Sequence, residues 1–165
     1  MQEDPPPPWK HELDAIVGAR HGGQVSGVLD RLQDLATRHP HVADIEYQLA
    51  WTLDAQGREA EARPHYEAAL ALGLPPNDHA GALIGLGSTL RNLGEIDRAA
   101  AVLESGRDLF PDLREFDAFL ALVRHDQGRH AEALQLALTT LADTADDPGI
   151  TAYSRALRHY ADQLT

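Results

Sequence analysis

Nine histidines are the first candidates for chemistry in this chain. Imidazole ligates transition metals and moves protons near neutral pH. A helical metal face needs ligands about one turn apart, as in His-x-x-x-His or His-Glu-x-x-His. No such pair occurs: His39-Pro40-His41 reads as a loop, and His125 and His130 straddle an expected turn. Solvated imidazoles are the expectation, and no metal site is predicted. Gly22-Gly23 and Gly85-x-Gly87 do not sit in a strand–loop–helix setting, so they read as turn and packing glycines and not as a phosphate cradle. Ser88 falls within Gly85-Leu-Gly-Ser-Thr, without the G-x-S-x-G context of a nucleophile elbow. Acids are plentiful, yet no carboxylate pair is specified by spacing. With no catalytic or cofactor-binding constellation, the expectation is a non-enzyme with no cofactor.

Composition narrows the partners. The 165 residues carry 14 Lys+Arg against 26 Asp+Glu, a net charge of −12. Such a chain repels phosphate backbones and anionic headgroups, and no run of basic residues relieves that, so neither nucleic acid nor membrane is expected as a partner. There is no cysteine, which excludes disulfides and thiolate chemistry and fits a reducing compartment. The acidic, Pro-rich stretch Met1 to Lys10 lacks an apolar signal core. No stretch approaches the ~18 apolar residues of a membrane span. A cytoplasmic location is expected. Apolar residues make up 43%, ordinary for a globular chain, and Ala and Leu outweigh β-branched residues, which favours helix.

The elements that position any site repeat along the chain. Tyr-Gln-Leu-Ala-Trp-Thr-Leu-Asp-Ala-Gln-Gly (47–57), Ile-Gly-Leu-Gly-Ser-Thr-Leu-Arg-Asn-Leu-Gly (84–94) and Ala-Phe-Leu-Ala-Leu-Val-Arg-His-Asp-Gln-Gly (118–128) are three copies, each ending in a glycine suited to a left-handed turn after a helix. Gly94 and Gly128 are 34 residues apart. Gly57 and Gly94 are 37 apart, which places a three-residue insertion around Leu74 to His79. Gly23 lies 34 before Gly57 and marks a degenerate earlier unit. Ala62, Ala99 and Ala133 follow their turn glycines by five residues, and Tyr66, Leu103 and Ala137 come four later. Small residues let helices approach, and larger ones fill the gap beside them. Pro40, Pro75, Pro111 and Pro148 stand near unit ends, where proline stops a helix.

This pattern resembles the tetratricopeptide repeat, with its Leu-Gly, Ala, aromatic and Pro positions at a 34-residue period. Leu86, Gly87, Leu90, Ala99, Leu103 and Pro111 give the closest copy. Leu49, Ala50, Ala62, Tyr66 and Ala69 give another. The third keeps Leu120, Ala121 and Ala133, with Arg124 where an apolar residue is usual. From Asp44 to Leu164 the chain is similar to a group of short, stand-alone bacterial proteins of this type without an assigned activity. The resemblance implies an all-α fold, a right-handed α–α superhelix of helix hairpins with a C-terminal capping helix.

Nine helices are expected, at about 9–21, 25–38, 42–56, 59–72, 78–93, 95–109, 112–127, 130–144 and 149–163. They divide into a disordered Pro-rich tail over 1–8 and a single repeat domain over 9–165. Its units are about 9–42 (degenerate), 43–76, 80–113 and 114–147, followed by the capping helix 149–163. The polar face of that helix, with Ser154, Arg155, Arg158 and Asp162, is expected to shield the apolar end of the stack. Asp112 with Glu115 reads as a capping box, and Asp147-Pro148 as N-cap and N1. Pro64 conflicts with a helix opening at Glu59, and predicts either a later start or a kink near Ala60.

By the same resemblance, the first helix of each pair lines a concave groove for a peptide or helix of a partner protein. The groove positions are Tyr47, Trp51 and Asp54 in one unit, Ile84, Ser88 and Arg91 in the next, and Phe119, Leu122 and His125 in the third. Leu13, Asp14, Val17 and Arg20 are the equivalents in the degenerate unit. Aromatic and Arg side chains are common energetic anchors of interfaces. Trp51 and Tyr47 are also readable as core. Asp54 and Arg91 hold equivalent positions in adjacent units, which allows an inter-repeat ion pair, or leaves Arg91 with Ser88 to receive a partner's carboxylate. Self-association as a homo-dimer through exposed apolar surface is the alternative to a separate peptide ligand.

Overall fold

A computed structural model of the chain describes residues 5–165. Among the described residues there are nine α-helices and no strand: α1 (Pro8–His21), α2 (Val28–Arg38), α3 (Ala43–Asp54), α4 (Glu59–Leu72), α5 (Pro76–Asn92), α6 (Ile96–Leu109), α7 (Glu115–Asp126), α8 (His130–Thr144) and α9 (Pro148–Ala161). The all-α class expected from the repeat is the class observed. The helices group into two compact units, Met1–Gly85 and Leu86–Thr165, with the boundary inside α5. The expected disordered tail falls partly outside the described residues. Of its remainder, Pro7 is extended and Pro8 already opens α1.

The turn glycines set the phase of the repeat. Gly23, Gly57, Gly94 and Gly128 all adopt positive φ, between 71° and 87°. Each closes the helix before it with the same two backbone bonds. In the second turn Gly57 donates to the Asp54 carbonyl (2.9 Å) and Arg58 to the Leu53 carbonyl (3.0 Å). In the first, Gly23 donates to Arg20 (3.0 Å) and Gln24 to Ala19 (2.9 Å). Glu95 and Arg129 repeat the longer bond to Leu90 and Arg124, at 2.9 and 2.8 Å. This is the Schellman arrangement, in which a left-handed residue lets the chain satisfy the last carbonyls of a helix. The degenerate first unit therefore turns as the others do.

Within the first unit the core is a cluster of Leu13, Ile16, Val28, Leu32, Leu35, Ile45 and Leu49, with Trp9, Val17, Leu29, Ala36 and Val42 packed against it. Ala62, Tyr66 and Ala69 bury the inner face of α4. In the second unit Leu90, Ala99, Leu103, Phe116, Leu120, Val123 and Ala133 are buried. Ala99 and Ala133 sit where the repeat places small residues, but Ala137, the third equivalent of Tyr66, is exposed.

Several local expectations need correction. α2 opens at Val28, not near 25, because Gly27 is left-handed with φ 71°. α7 opens at Glu115: Arg114 is its N-cap, with no side-chain cap bond, so the Asp112–Glu115 capping box does not form. Asp112 instead lies in a turn closed by Leu113 N–H on the Phe110 carbonyl (3.0 Å). The reading at Asp147 holds, since its side chain accepts from Ile150 N–H at 3.0 Å. α4 begins at Glu59 and runs through Pro64, so a later start is excluded. Pro64 has no N–H, and the Ala60 carbonyl loses its intrahelical donor. The insertion lengthens α5 at its N-terminal end: that helix has 17 residues, against 12 in α3 and in α7.

Close helix approach is enforced by glycines facing rings. A Cβ on Gly85 would collide with the Tyr66 ring, one on Gly81 with the Tyr47 hydroxyl, and one on Gly106 with the Phe116 ring. Gly18, inside α1, meets nothing within 4 Å. Chemical denaturation separates the two situations. Gly18→Ala is expected to stabilise the protein by about 0.5–1 kcal/mol through helix propensity. Gly85→Ala is expected to destabilise it by about 1–3 kcal/mol through overpacking against Tyr66. A neutral Gly85→Ala would mean that the two helices do not meet this closely.

Candidate functional site

On α3, Tyr47, Trp51 and Asp54 follow at helical spacing and share one face. The other side of α3 buries Ile45, Leu49, Ala50 and Leu53. The structure separates the two aromatics left open by sequence. Trp51 is 40% exposed. Tyr47 is half-buried, with its hydroxyl against Gly81 and its ring tilted at 50° to that of Tyr66, 6.3 Å away. Tyr47 is therefore largely packing, while Trp51 presents surface. Ile84 is half-buried, and Asp54 accepts a long bond of 3.4 Å from the Tyr66 hydroxyl.

The degenerate unit contributes more to this site than its poor repeat match indicates. Arg20 is only 9% exposed, and its guanidinium lies over the Trp51 ring at 3.9 Å, a cation–π geometry. It donates to Thr52 Oγ1 (3.0 Å) and Gln48 Oε1 (2.7 Å), while Thr52 Oγ1 in turn donates to the Gln48 carbonyl (2.7 Å). Burial lowers the pKa of Arg20 from its ordinary value, although guanidinium stays charged at any working pH. Beside this stack is a cleft of about 370 Å³ walled by Val25, Val28, Trp51 and Ala55. Sequence reasoning placed Arg20 on the binding face by its position three residues before Gly23, but not its burial or its stack on Trp51. Leu13 belongs to the core, Val17 packs against it, and Asp14 pairs with Lys10 at 2.6 Å.

In the second unit Leu122 is 46% exposed, His125 is exposed, and Ser88 and Phe119 are half-buried. Arg91 donates through Nε to Asp126 at 2.5 Å, so a carboxylate of its own unit already occupies it. His125 and His130 come together across the Gly128 turn, Nδ1 to Nδ1 at 3.1 Å with ring centroids 4.7 Å apart. No third ligand joins them: among the described residues no group of three or more His, Cys, Asp or Glu is placed to hold a metal. Arg124, unusual for its repeat position, is buried and satisfied by an ion pair with Glu104 and a 2.9 Å bond to Gln127. Arg158, on the polar face expected for the capping helix, is engaged with the preceding helix. It turns onto α8, donating to Asp143 at 2.7 Å and to the Ala142 carbonyl at 3.2 Å, while Arg114 takes the other Asp143 oxygen at 2.7 Å. Among the described residues no helix is long and apolar enough to cross a membrane.

The sequence profile of the Tetratrico peptide repeat family matches residues 43–164. No curated protein matches in sequence. Among solved structures, that of MamA is similar with a TM-score of 0.66 at 17% identity, covering 90% of this chain and 93% of that one. PilF of Pseudomonas aeruginosa is similar with a TM-score of 0.69 at 19% identity, covering 94% of this chain and 72% of that one. At such identities the likeness concerns the fold.

The buried tyrosine gives the site a pH signature. Burial, and then the negative charge of Asp54, push the Tyr66 hydroxyl well above the ordinary tyrosine range. In the unfolded chain it ionises near pH ~10. Above that pH the unfolded state sheds a proton that the folded state keeps, so stability is full below it and falls as pH rises. Urea midpoints are expected to decline more steeply between about pH 9.5 and 11 in the parent protein than in Tyr66→Phe. Parallel declines would remove Tyr66 as the cause.

Proposed function

The chain belongs to the tetratricopeptide repeat family, and on that premise we propose that it is a protein-interaction module that takes a peptide or helix of a partner along the first helices of its hairpins. Repeats of this kind generally mediate contacts between proteins and are typically non-catalytic. One observation carries the finer reading. At two of the four positions six residues before a turn glycine, one in each compact unit, a large apolar side chain is open to solvent: Trp51 and Leu122, while Val17 and Ser88 hold the other two and are half-buried. A packed repeat tends to bury such side chains, and an exposed aromatic or aliphatic anchor is what an amphipathic partner requires. Tyr47, Asp54, Ile84, Ser88, Arg91, Phe119 and His125 are proposed as the surrounding contacts, and the protein interior of a cell as the setting. Crosslinked affinity capture from the native cell tests this. The parent is expected to recover a specific protein that Trp51→Ser and Leu122→Ser both lose at unchanged helicity. Undiminished capture by both variants would refute the face.

Self-association is the second reading, favoured by Tyr153 and Tyr160. Both are strongly exposed, and seven residues apart they share one face of α9. Sedimentation is expected to show a concentration-dependent dimer that Tyr153→Ser with Tyr160→Ser abolishes. A parent protein that stays monomeric into the high micromolar range would exclude it.

A further inference from the structure

Among the described residues two arginines are buried, and only one of them has a counter-ion. Arg124 holds Glu104. Arg20 meets only neutral oxygens, those of Gln48 and Thr52, and its Nε is buried with no acceptor. No carboxylate pairs with Arg20 among the described residues, although the chain has 26 Asp+Glu to draw on. A buried cation without an anion is costly, and one held beside open space favours a ligand that brings the anion. That space is the cleft at Trp51. Its walls are mainly apolar, with Val25 (67% exposed), Val28, Trp51 and Ala55, while Arg20, His21, Thr52 and Gln56 supply its polar part. Its volume, about 370 Å³, is at the small end of the range for small-molecule sites, roughly 300–1,000 Å³. It has room for a ring and a carboxylate, not for a helix.

We propose that this cleft is a binding site for a small apolar carboxylate, whose anionic end pairs with Arg20 and whose body rests on Trp51 and Val25. The site shares Trp51 with the partner face argued above but requires no second protein. Charge and shape agree with it. The guanidinium is fixed by its stack on the indole and by two hydrogen bonds, so it is preorganised for a planar carboxylate. The open edge of Trp51 and the exposed Val25 offer apolar area that water solvates poorly.

The test uses the full chain with Trp9→Phe, which leaves Trp51 as the sole indole of the two present. Phenylacetate is expected to change Trp51 emission saturably and to shift the Arg20 Nε–H resonance. Phenylacetamide, the same shape without charge, should bind at least about tenfold more weakly. Arg20→Gln is expected to erase the difference between acid and amide. Should that variant fail to fold, Val25→Asp decides: a carboxylate at the cleft mouth should weaken phenylacetate about tenfold while the melting temperature stays that of the parent. Equal binding of acid and amide, no saturable response to either, or no effect of Val25→Asp would overturn the proposal. So would N-acetyl-Gly-Gly-Phe with a free C-terminus binding about a hundredfold more tightly than phenylacetate, because the site would then belong to a chain end.

Discussion

Neighbouring helices in this chain meet so closely that several contact points have no room for a methyl group. Gly85 lies against the Tyr66 ring, Gly81 against the Tyr47 hydroxyl and Gly106 against the Phe116 ring. Where the contact residue is not glycine it is often alanine, as at Ala62, Ala69 and Ala99, all fully buried. A large ring seated on bare backbone fills the gap at near-crystalline density and fixes the rotation of both helices. That rotation decides which side of α3 is used up. With Ile45, Leu49 and Leu53 committed to the core, the face bearing Trp51 is what remains. The same Schellman turn recurs after α1, α3, α5 and α7, so each of these helices ends in the same way.

Polar groups obey the same close packing with less uniform success. Asp143 collects Arg114 and Arg158, tying the start of α7 and the body of α9 to α8. Arg124 tolerates an apolar repeat position because Glu104 supplies its charge, and the Gln127 amide oxygen accepts a further N–H. Among the described residues the exceptions are Arg20 Nε and Thr89 Oγ1, which are buried without a hydrogen-bond partner. Thr89 is a modest loss in an otherwise filled interior. Arg20 differs because it carries a charge, and because the group stacked on it is a solvent-exposed indole at the edge of a cleft.

What was legible in the sequence was local or periodic. A glycine recurring at 34 to 37 residues announces a left-handed turn whatever surrounds it, and all four such glycines behave accordingly. Alanines at fixed offsets announce close approach. Features set by distant partners were not legible. The acceptors of Arg20 lie 28 and 32 residues away, and the carboxylate that pairs with Arg124 lies 20 away. No spacing rule connects such pairs. The capping box at Asp112 was locally plausible and lost to tertiary packing: the parallel stack of Phe110 on Phe116, 6.3 Å apart, holds the intervening residues in a turn. Pro64 stays within α4 because the helix is held by burial of Ala62, Tyr66 and Ala69, which outweighs one missing backbone bond. Trp51 and Tyr47 were ambiguous because spacing gives a face but not how far the next helix covers it.

The exposure of Trp51 follows from these constraints and has its own consequence. An indole on a helix surface ordinarily samples rotamers, and ordering it on binding opposes affinity. Here the ring is already held by the Arg20 guanidinium, which is itself fixed by Thr52 and Gln48 from the same helix as Trp51. The ordering cost is met during folding, by contacts that do not involve a ligand. Leu122, at the matching position of the second unit, has no such support among its repeat neighbours, since the residue three before Gly94 is Arg91 and it is engaged with Asp126. The two equivalent positions therefore differ in rigidity more than in exposure. Binding at Trp51 would gain more per unit of area than binding at Leu122, because preorganised aromatic surface binds with less entropy lost than a mobile aliphatic chain.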